Sequence, residues 1–167
     1  IFWLLDPIDG TINFLHGIPH FAISVALQIN NEIAIGLIFD PIKNEIFYAE
    51  KNNGSYINNN RIRVSKKSNL DECLFASNND GVKSIYPKLN TRNTGCAALD
   101  LAYVGCGRLD GFFHNNINLW DIAAGKIIVE EAGGKVNNID NFTINKIDIR
   151  AGNPNIFEKM VKNLSNF

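Results

Sequence analysis

The residues with the most chemistry to offer lie near the start of the chain, in Asp6-Pro7-Ile8-Asp9-Gly10-Thr11. Two carboxylates three residues apart, separated by a proline-stiffened bend, can point into one small volume. Hard divalent cations take that arrangement of charged oxygens. The Ile8 carbonyl, between the carboxylates, can turn the same way and serve as a neutral ligand. Gly10 lets the backbone come close to a phosphate, and Thr11 offers a hydroxyl and an amide at a helix start. By local rules alone the same residues also suit a turn in which Asp6 and Asp9 cap the next segment.

A second candidate is Trp120-Asp121-Ile122-Ala123-Ala124-Gly125, an aspartate at the start of a helix of small residues. Taken alone, Asp121 reads as a helix N-cap, and the small residues as a surface for close packing. A third is Thr94-Gly95-Cys96-Ala97-Ala98, a glycine-led helix N-terminus whose free amides suit an anion.

The elements that must position these residues change character along the chain. Residues 2–5 read as a short buried strand ended by Asp6-Pro7, because Pro7 cannot donate to a ladder. Residues 20–30 and 33–39 are apolar, β-branched runs around Asn30-Asn31-Glu32, a hairpin turn. Strands at 45–50, 55–58 and 61–64 follow, divided by Asn53-Gly54 and Asn58-Asn59-Asn60. Imperfect alternation in 33–39 predicts a strand covered on both faces. This half, to about residue 75, is an antiparallel meander. After it the period changes: helices at 96–106, 120–132 and 157–164 alternate with strands at 109–114, 135–137 and 147–151. Strands alone and then strands alternating with helices predict an α/β (α+β) protein with two sheets and helices between or outside them. The whole chain, 1–167, is expected to be a single domain with a meander lobe at about 1–75 and a strand–helix lobe at about 76–167.

Composition narrows the function classes. Of 167 residues, 46% are hydrophobic and 20% charged, and the formal charge of −1 gives no basic field for nucleic acid. The short basic cluster Arg61, Arg63, Lys66 and Lys67 suits a solvated strand-and-turn face. Cys73, Cys96 and Cys106 are odd in number and lack C-x-x-C spacing, which argues against a disulfide framework or zinc site and for a reducing, cytoplasmic setting. No apolar run reaches the roughly 18 residues a membrane span needs.

In this order, the three motifs closely resemble the inositol monophosphatase family, in particular its bacterial members of the extragenic suppressor type. The run W-L-L-D-P-I-D-G-T-I-N-F-L-H at 3–16 matches its first motif, and W-D-I-A-A-G-K-I-I-V-E-E-A-G-G at 120–134 its second. Phe21–Leu27, Gly95–Tyr103 and Gly107–Phe113 extend the match over nearly the whole chain. The resemblance implies a layered α-β-α-β-α sandwich of the sugar-phosphatase type, here without its N-terminal helices. It further implies a homodimer and Mg²⁺-dependent, Li⁺-sensitive hydrolysis of a small phosphate monoester such as myo-inositol monophosphate, with two or three ions. By position, Asp6, Asp9 and Asp121 are then metal ligands with the Ile8 carbonyl. Asp9 and Thr11 serve catalysis, Thr11 by helping to orient and deprotonate the attacking water. Gly10 and Thr11 hold the phosphate, Gly95, Cys96 and Ala97 line the substrate side, and Asp121 also meets substrate. No Ser, Cys or His nucleophile is required.

Three departures accompany the resemblance. The family's glutamate-rich metal segment would fall before Ile1, and the chain opens on Ile rather than Met. The expectation is therefore of a missing N-terminus, with residues 1–167 alone weak or inactive. His114 stands where members often carry a glutamate that contacts substrate hydroxyls. The segment between Phe75 and Asn93 also looks short, which would trim a surface helix. Two other functions fit the same motifs: a nucleotide 3′-phosphate or sugar bisphosphate phosphatase, and a non-catalytic protein bound to a transcription complex or ribosomal RNA.

Overall fold

The computed structural model describes residues 1–78, 89–137 and 146–164, with residues 163 and 164 by backbone alone. The first half is a meander of six strands: β1 Phe2–Asp9, β2 Ala22–Ile29, β3 Glu32–Asp40, β4 Glu45–Glu50, β5 Gly54–Ile57 and β6 Asn60–Arg61. They pair in chain order as one antiparallel sheet, interrupted only by the short helix α1, Thr11–Leu15. Asparagine makes the turns. Asn30 and Asn31 (φ 50° and 63°) join β2 to β3, and Asn58 and Asn59 (φ 44° and 68°) join β5 to β6. Two successive left-handed residues match the twist of a tight hairpin, and Asn tolerates that conformation better than most side chains.

The second half holds β7 Leu74–Ser77, β8 Asn90–Arg92, α2 Ala97–Gly105, β9 Gly111–Ile117, α3 Leu119–Glu131, β10 Lys135–Val136, β11 Ile147–Gly152 and α4 Pro154–Leu164. Its sheet has the order β10-β11-β9-β7-β8, with β7 parallel to both β8 and β9. Helices α2 and α3 lie between the sheets. Leu99, Ala102, Ala124, Ile127 and Ile128 face the meander, while Leu101, Val104, Ile122 and Val129 face β9 and β11. On the far side of the second sheet, Ile156, Phe157 and Met160 of α4 pack on Phe75 and Phe113. The layers thus run β-α-β-α, the expected sandwich with no helix over the outer face of the meander among the described residues.

Several expectations change. β1 continues through Pro7 to Asp9, with a register shift between Asp6 and Asp9. An edge strand tolerates proline because one of its sides needs no ladder donor. Because no helix covers the outer face of the meander among the described residues, β1 is exposed rather than buried: Trp3 is 66% accessible and Leu5 56%. β3 is covered fully on one face only, since Ile35, Leu37 and Phe39 are half-buried. The strand expected at 61–64 stops at Arg61, because the Val64 amide turns to the Ala132 carbonyl (3.2 Å) at the end of α3. The strand expected at 109–114 starts at Gly111, since Asp110 is buried and binds Ser65, Lys67 and the Leu74 amide. Helix α4 starts at Pro154, because the Asn153 side chain accepts from the Asn155 and Ile156 amides. The expected shortening between Phe75 and Asn93 falls largely outside the described residues.

Candidate metal centre and adjoining pocket

At the end of β1 the chain folds over itself. Asp6 Oδ1 accepts the Ile8 amide at 3.0 Å, and Thr11 Oγ1 donates to the Ile8 carbonyl at 2.8 Å. Gly10 makes the bend with φ 82°, and a Cβ there would stand 3.0 Å from the His20 carbonyl. Only glycine meets both conditions. Helix α1 starts at the next residue, as its sequence suggests.

Asp121 arrives from the opposite side, in the first turn of α3. It is not the cap of that helix. Asn118 occupies the N-cap position, and its side-chain amide donates to Asp121 Oδ2 at 3.1 Å. Asp6, Asp9 and Asp121 each bring a carboxylate oxygen to a point where all lie within 4.8 Å of one another. Burial, then the charges of Asp9 and Asp6, push Asp121 up to about 7. Burial raises Asp9 too, against the opposing effect of hydrogen bonds from Ala98 and Cys96. Three half-buried carboxylates repel unless a cation joins them. An all-oxygen donor set fits a hard cation such as Mg²⁺. The nearby Cys96 sulfur stays a thiol, its ionisation opposed first by burial and next by Asp9.

The third motif is joined to the first by direct bonds. Cys96 Sγ lies 3.3 Å from Asp9 Oδ2, and the Ala98 amide donates to that oxygen at 2.6 Å. Asn13, buried in α1, donates to the carbonyls of His20 (2.8 Å) and Thr94 (2.9 Å). Gly95, at φ 80°, lies against the Asn13 side chain. Thr94 Oγ1 donates to buried Asp100 at 2.7 Å, whose carboxyl desolvation pushes up to about 7.

Two cavities meet at this point, sharing Asp9, Gly95, Asn118 and Asp121. One, of about 470 Å³, holds Asp6, Ile8, Gly10 and Thr11. The other, of about 220 Å³, holds Cys96, Ala97, Asp100 and His114. Every candidate residue from the sequence therefore lines one or both. His114 is half-buried, its ring stacked on Phe112 at 5.8 Å and its Nδ1 3.1 Å from the Asn115 carbonyl. Burial lowers its pKa, as do the charges of Lys146 and Arg150. Sequence reasoning assigned no part to Asn13, Asp100, Asn118 or Lys146. Asn118 alone had a local signal, a cap residue three positions ahead of Asp121.

The sequence model of the inositol monophosphatase family matches residues 1–166. The chain is 47% identical over 141 residues to a fructose-1,6-bisphosphatase/inositol-1-monophosphatase of Thermotoga maritima, covering 80% of this chain and 55% of that protein. It is 38% identical over 178 residues to the Nus factor SuhB of Escherichia coli K12, covering 97% and 66%. The solved extragenic suppressor protein suhB of Bartonella henselae superposes with a TM-score of 0.90 at 42% identity, over 98% of this chain and 72% of that one. The chain spans 55% and 66% of the length of these two curated relatives.

Proposed function

The chain belongs to the inositol monophosphatase family, and from that premise we propose that it carries the site of a Mg²⁺-dependent phosphomonoesterase acting on a small polyol phosphate such as myo-inositol monophosphate. The observation that carries this reading is the convergence of Asp6, Asp9 and Asp121 within 4.8 Å, from two segments far apart in the sequence. In it these carboxylates and the Ile8 carbonyl hold two or three ions. Bound divalent cations supply charge neutralisation for the phosphoryl group and a lowered pKa for water.

The chain's own groups do the rest. Thr11 donates to the Ile8 carbonyl, which fixes its hydroxyl and leaves its lone pairs free to accept a hydrogen bond from the attacking water and orient it. The Gly10 and Thr11 amides hold the phosphoryl oxygens at the start of α1. Cys96 and Ala97, at the N-terminus of α2, border the leaving group, with Gly95 giving the backbone close approach and His114 on the far wall. Phosphoryl transfer asks mainly for positioning and charge neutralisation, which such a frame supplies. The test is turnover of inositol, glycerol and nucleotide phosphates by the protein, with Mg²⁺ and with chelator. Turnover that persists in excess chelator would refute the metal reading.

A second reading is favoured by the Nus factor relatives, which this chain matches over 97% of its length. In it the fold serves as a binding surface in a transcription complex. Capture of partners that survives Asp9→Asn would support it. A homodimer in the cytoplasm suits either reading. Among the described residues no helix is long and apolar enough to cross a membrane, and the cysteines are free.

A further inference from the structure

Each carboxylate of the cluster is held by a donor of the chain itself. Asp6 Oδ1 accepts the Ile8 amide at 3.0 Å, and Asp9 Oδ2 the Ala98 amide at 2.6 Å. Both anchors are backbone groups, which barely depend on the side chains at those positions. Asp121 is different. Among the described residues its carboxylate takes no backbone amide, and its anchor is the side chain of Asn118, 3.1 Å from Oδ2.

The sequence around this pair favours another arrangement. Asn118 is the N-cap of α3, and Asp121 stands three residues on. A cap residue followed at that spacing by an acid is the pattern of a reciprocal cap. In it the cap side chain accepts from the amide of the acid, and the acid reaches back to the amide of the cap residue. Among the described residues neither bond forms. The Asn118 side chain caps nothing, and the Asp121 amide goes to the Asn118 carbonyl instead, at 3.3 Å. The two side chains meet each other. A carboxylate oxygen only accepts, so the amide nitrogen of Asn118 is the atom that faces it.

A stabilising cap is thus left unmade, and departures of this kind from local rules gather at functional sites. Here the departure lies inside the site, since Asn118 and Asp121 both line both cavities. Asp121 stands within 4.8 Å of Asp6 and Asp9, where like charges repel it. Turning back to the helix start would relieve that repulsion and draw Asp121 out of the cluster.

We propose that Asn118 is a positioning residue of the metal centre: its amide holds Asp121 toward Asp6 and Asp9 against the competing cap, and the affinity of the site for a divalent cation depends on it. The proposal rests on the metal-dependent reading above and deepens it. A donor to a ligating carboxylate orients that ligand before the ion arrives. Loss of such a partner lowers metal affinity by roughly 10–100-fold.

The experiment compares the wild type with Asn118→Ser and Asn118→Leu. Serine caps as well as asparagine and completes the reciprocal pattern with Asp121, but it lacks the amide. Leucine, of similar size, offers neither cap nor donor. Urea midpoints are read in chelator, and Mg²⁺ dissociation constants by calorimetric titration. Asn118→Ser should keep or raise the midpoint and still bind Mg²⁺ about tenfold or more weakly, and Asn118→Leu should lose affinity to a similar degree. A merely structural role predicts instead that affinity follows the midpoint. Affinity that tracks the midpoint across the two variants overturns the proposal, as does affinity within about twofold of the wild type in both. A wild type that binds no Mg²⁺ overturns the metal reading and this role together. A wild type that binds Mg²⁺ but hydrolyses no ester refutes the phosphatase reading alone, and the dissociation constants still decide the part of Asn118.

Discussion

Asp9 Oδ2 accepts the Ala98 amide at 2.6 Å, so a carboxylate at the end of the edge strand caps a helix 89 residues further along the chain. The helix has no cap of its own, since Cys96 at its N-cap position makes no capping bond with its side chain. Asp9 fills that gap while facing Asp6 and Asp121. The metal end and the leaving-group end of the site are therefore held in register by one side chain.

This double duty separates two substitutions at one position. Asp9→Asn keeps an oxygen for the Ala98 amide and removes the charge. Activity should fall by on the order of 10² or more. In chelator its thermal midpoint should match or exceed the wild type, because a repelling charge is gone. Asp9→Ala loses the cap as well and should be less stable than Asp9→Asn by about 1 kcal/mol. Urea titration in chelator, with kcat measured in Mg²⁺, checks both halves. Equal stability of the two variants would remove the capping role.

A pH dependence follows from the same cluster. Asp121 is pushed from 3.8 up to about 7 by burial and then by Asp9 and Asp6, and Asp9 and Asp100 are also raised, mainly by burial. In each, the folded state holds its proton more tightly than the unfolded chain does. The stabilisation is complete below about pH 4 and is lost as pH rises through about 7. Metal-free protein should melt at a higher temperature at pH 5.5 than at pH 8. Saturating Mg²⁺ should reverse that order, since cations compete with protons for the same oxygens. Melting curves at the two pH values, with and without chelator, read this directly. A flat profile in chelator would mean that neither burial nor repulsion raises these carboxyls in the folded protein.

Asp121 reaches the site only because α3 lies close against both neighbours. A Cβ at Gly36 would stand 2.6 Å from the Ala124 carbonyl and 2.5 Å from Ile127 Cγ2. At Gly125 it would stand 2.4 Å from Leu101 Cβ. A backbone carbonyl cannot step aside as the tip of a side chain can. Gly36→Ala should therefore cost about 1–3 kcal/mol and displace α3, lowering kcat together with stability. Denaturant midpoints and kcat for the same variant are the measurements, and an unchanged midpoint would show that the sheet and helix can separate freely.

Much of this was legible in the chain because the signals were local. Asparagine pairs announced the hairpins, and the change from strand runs to helical spacing near residue 75 separated the two sheets. Asp6 and Asp9 were legible as a pair because three residues separate them. The convergence of Asp121 on them was not readable from spacing, and only the ordered motifs suggested it. Nothing local could show that Asp9 would cap α2 or that Lys146 would share a cavity with Asp9. Those relationships depend on how α2 and α3 settle between the sheets. The exposure of β1 was misread for a related reason: an apolar run suggests burial, but burial depends on whether a layer covers the outer face of the sheet, where Trp3 and Leu5 lie.

Asn13 offers the sharpest test of how the site is assembled. Its side-chain amide donates to two carbonyls, those of His20 at 2.8 Å and Thr94 at 2.9 Å. Both partners can only accept, so both of its protons are committed and its orientation is fixed. Through Thr94 it ties α1, which carries Thr11, to the loop that carries Gly95 and Cys96. Asn13→Ala removes both bonds and leaves two carbonyls short of a donor, at a cost of about 2–4 kcal/mol. Asn13→Asp is nearly the same shape, yet it sets a carboxylate oxygen against those carbonyls where a donor stood. Repulsion is then added to the loss, near a cluster that is already acidic. The expected order of stability is wild type, then Asn13→Ala, then Asn13→Asp, with kcat falling in the same order as Thr11 and the Gly95 loop lose their common anchor. Lowering the pH toward 5 should recover more stability in Asn13→Asp than in Asn13→Ala, because a protonated carboxyl at position 13 donates one bond again, on top of the change with pH that the wild type and Asn13→Ala share. Urea titrations of the three proteins at pH 5 and pH 8 decide the matter. If Asn13→Asp proves as stable as Asn13→Ala at both pH values, the paired carbonyls are not what the side chain serves.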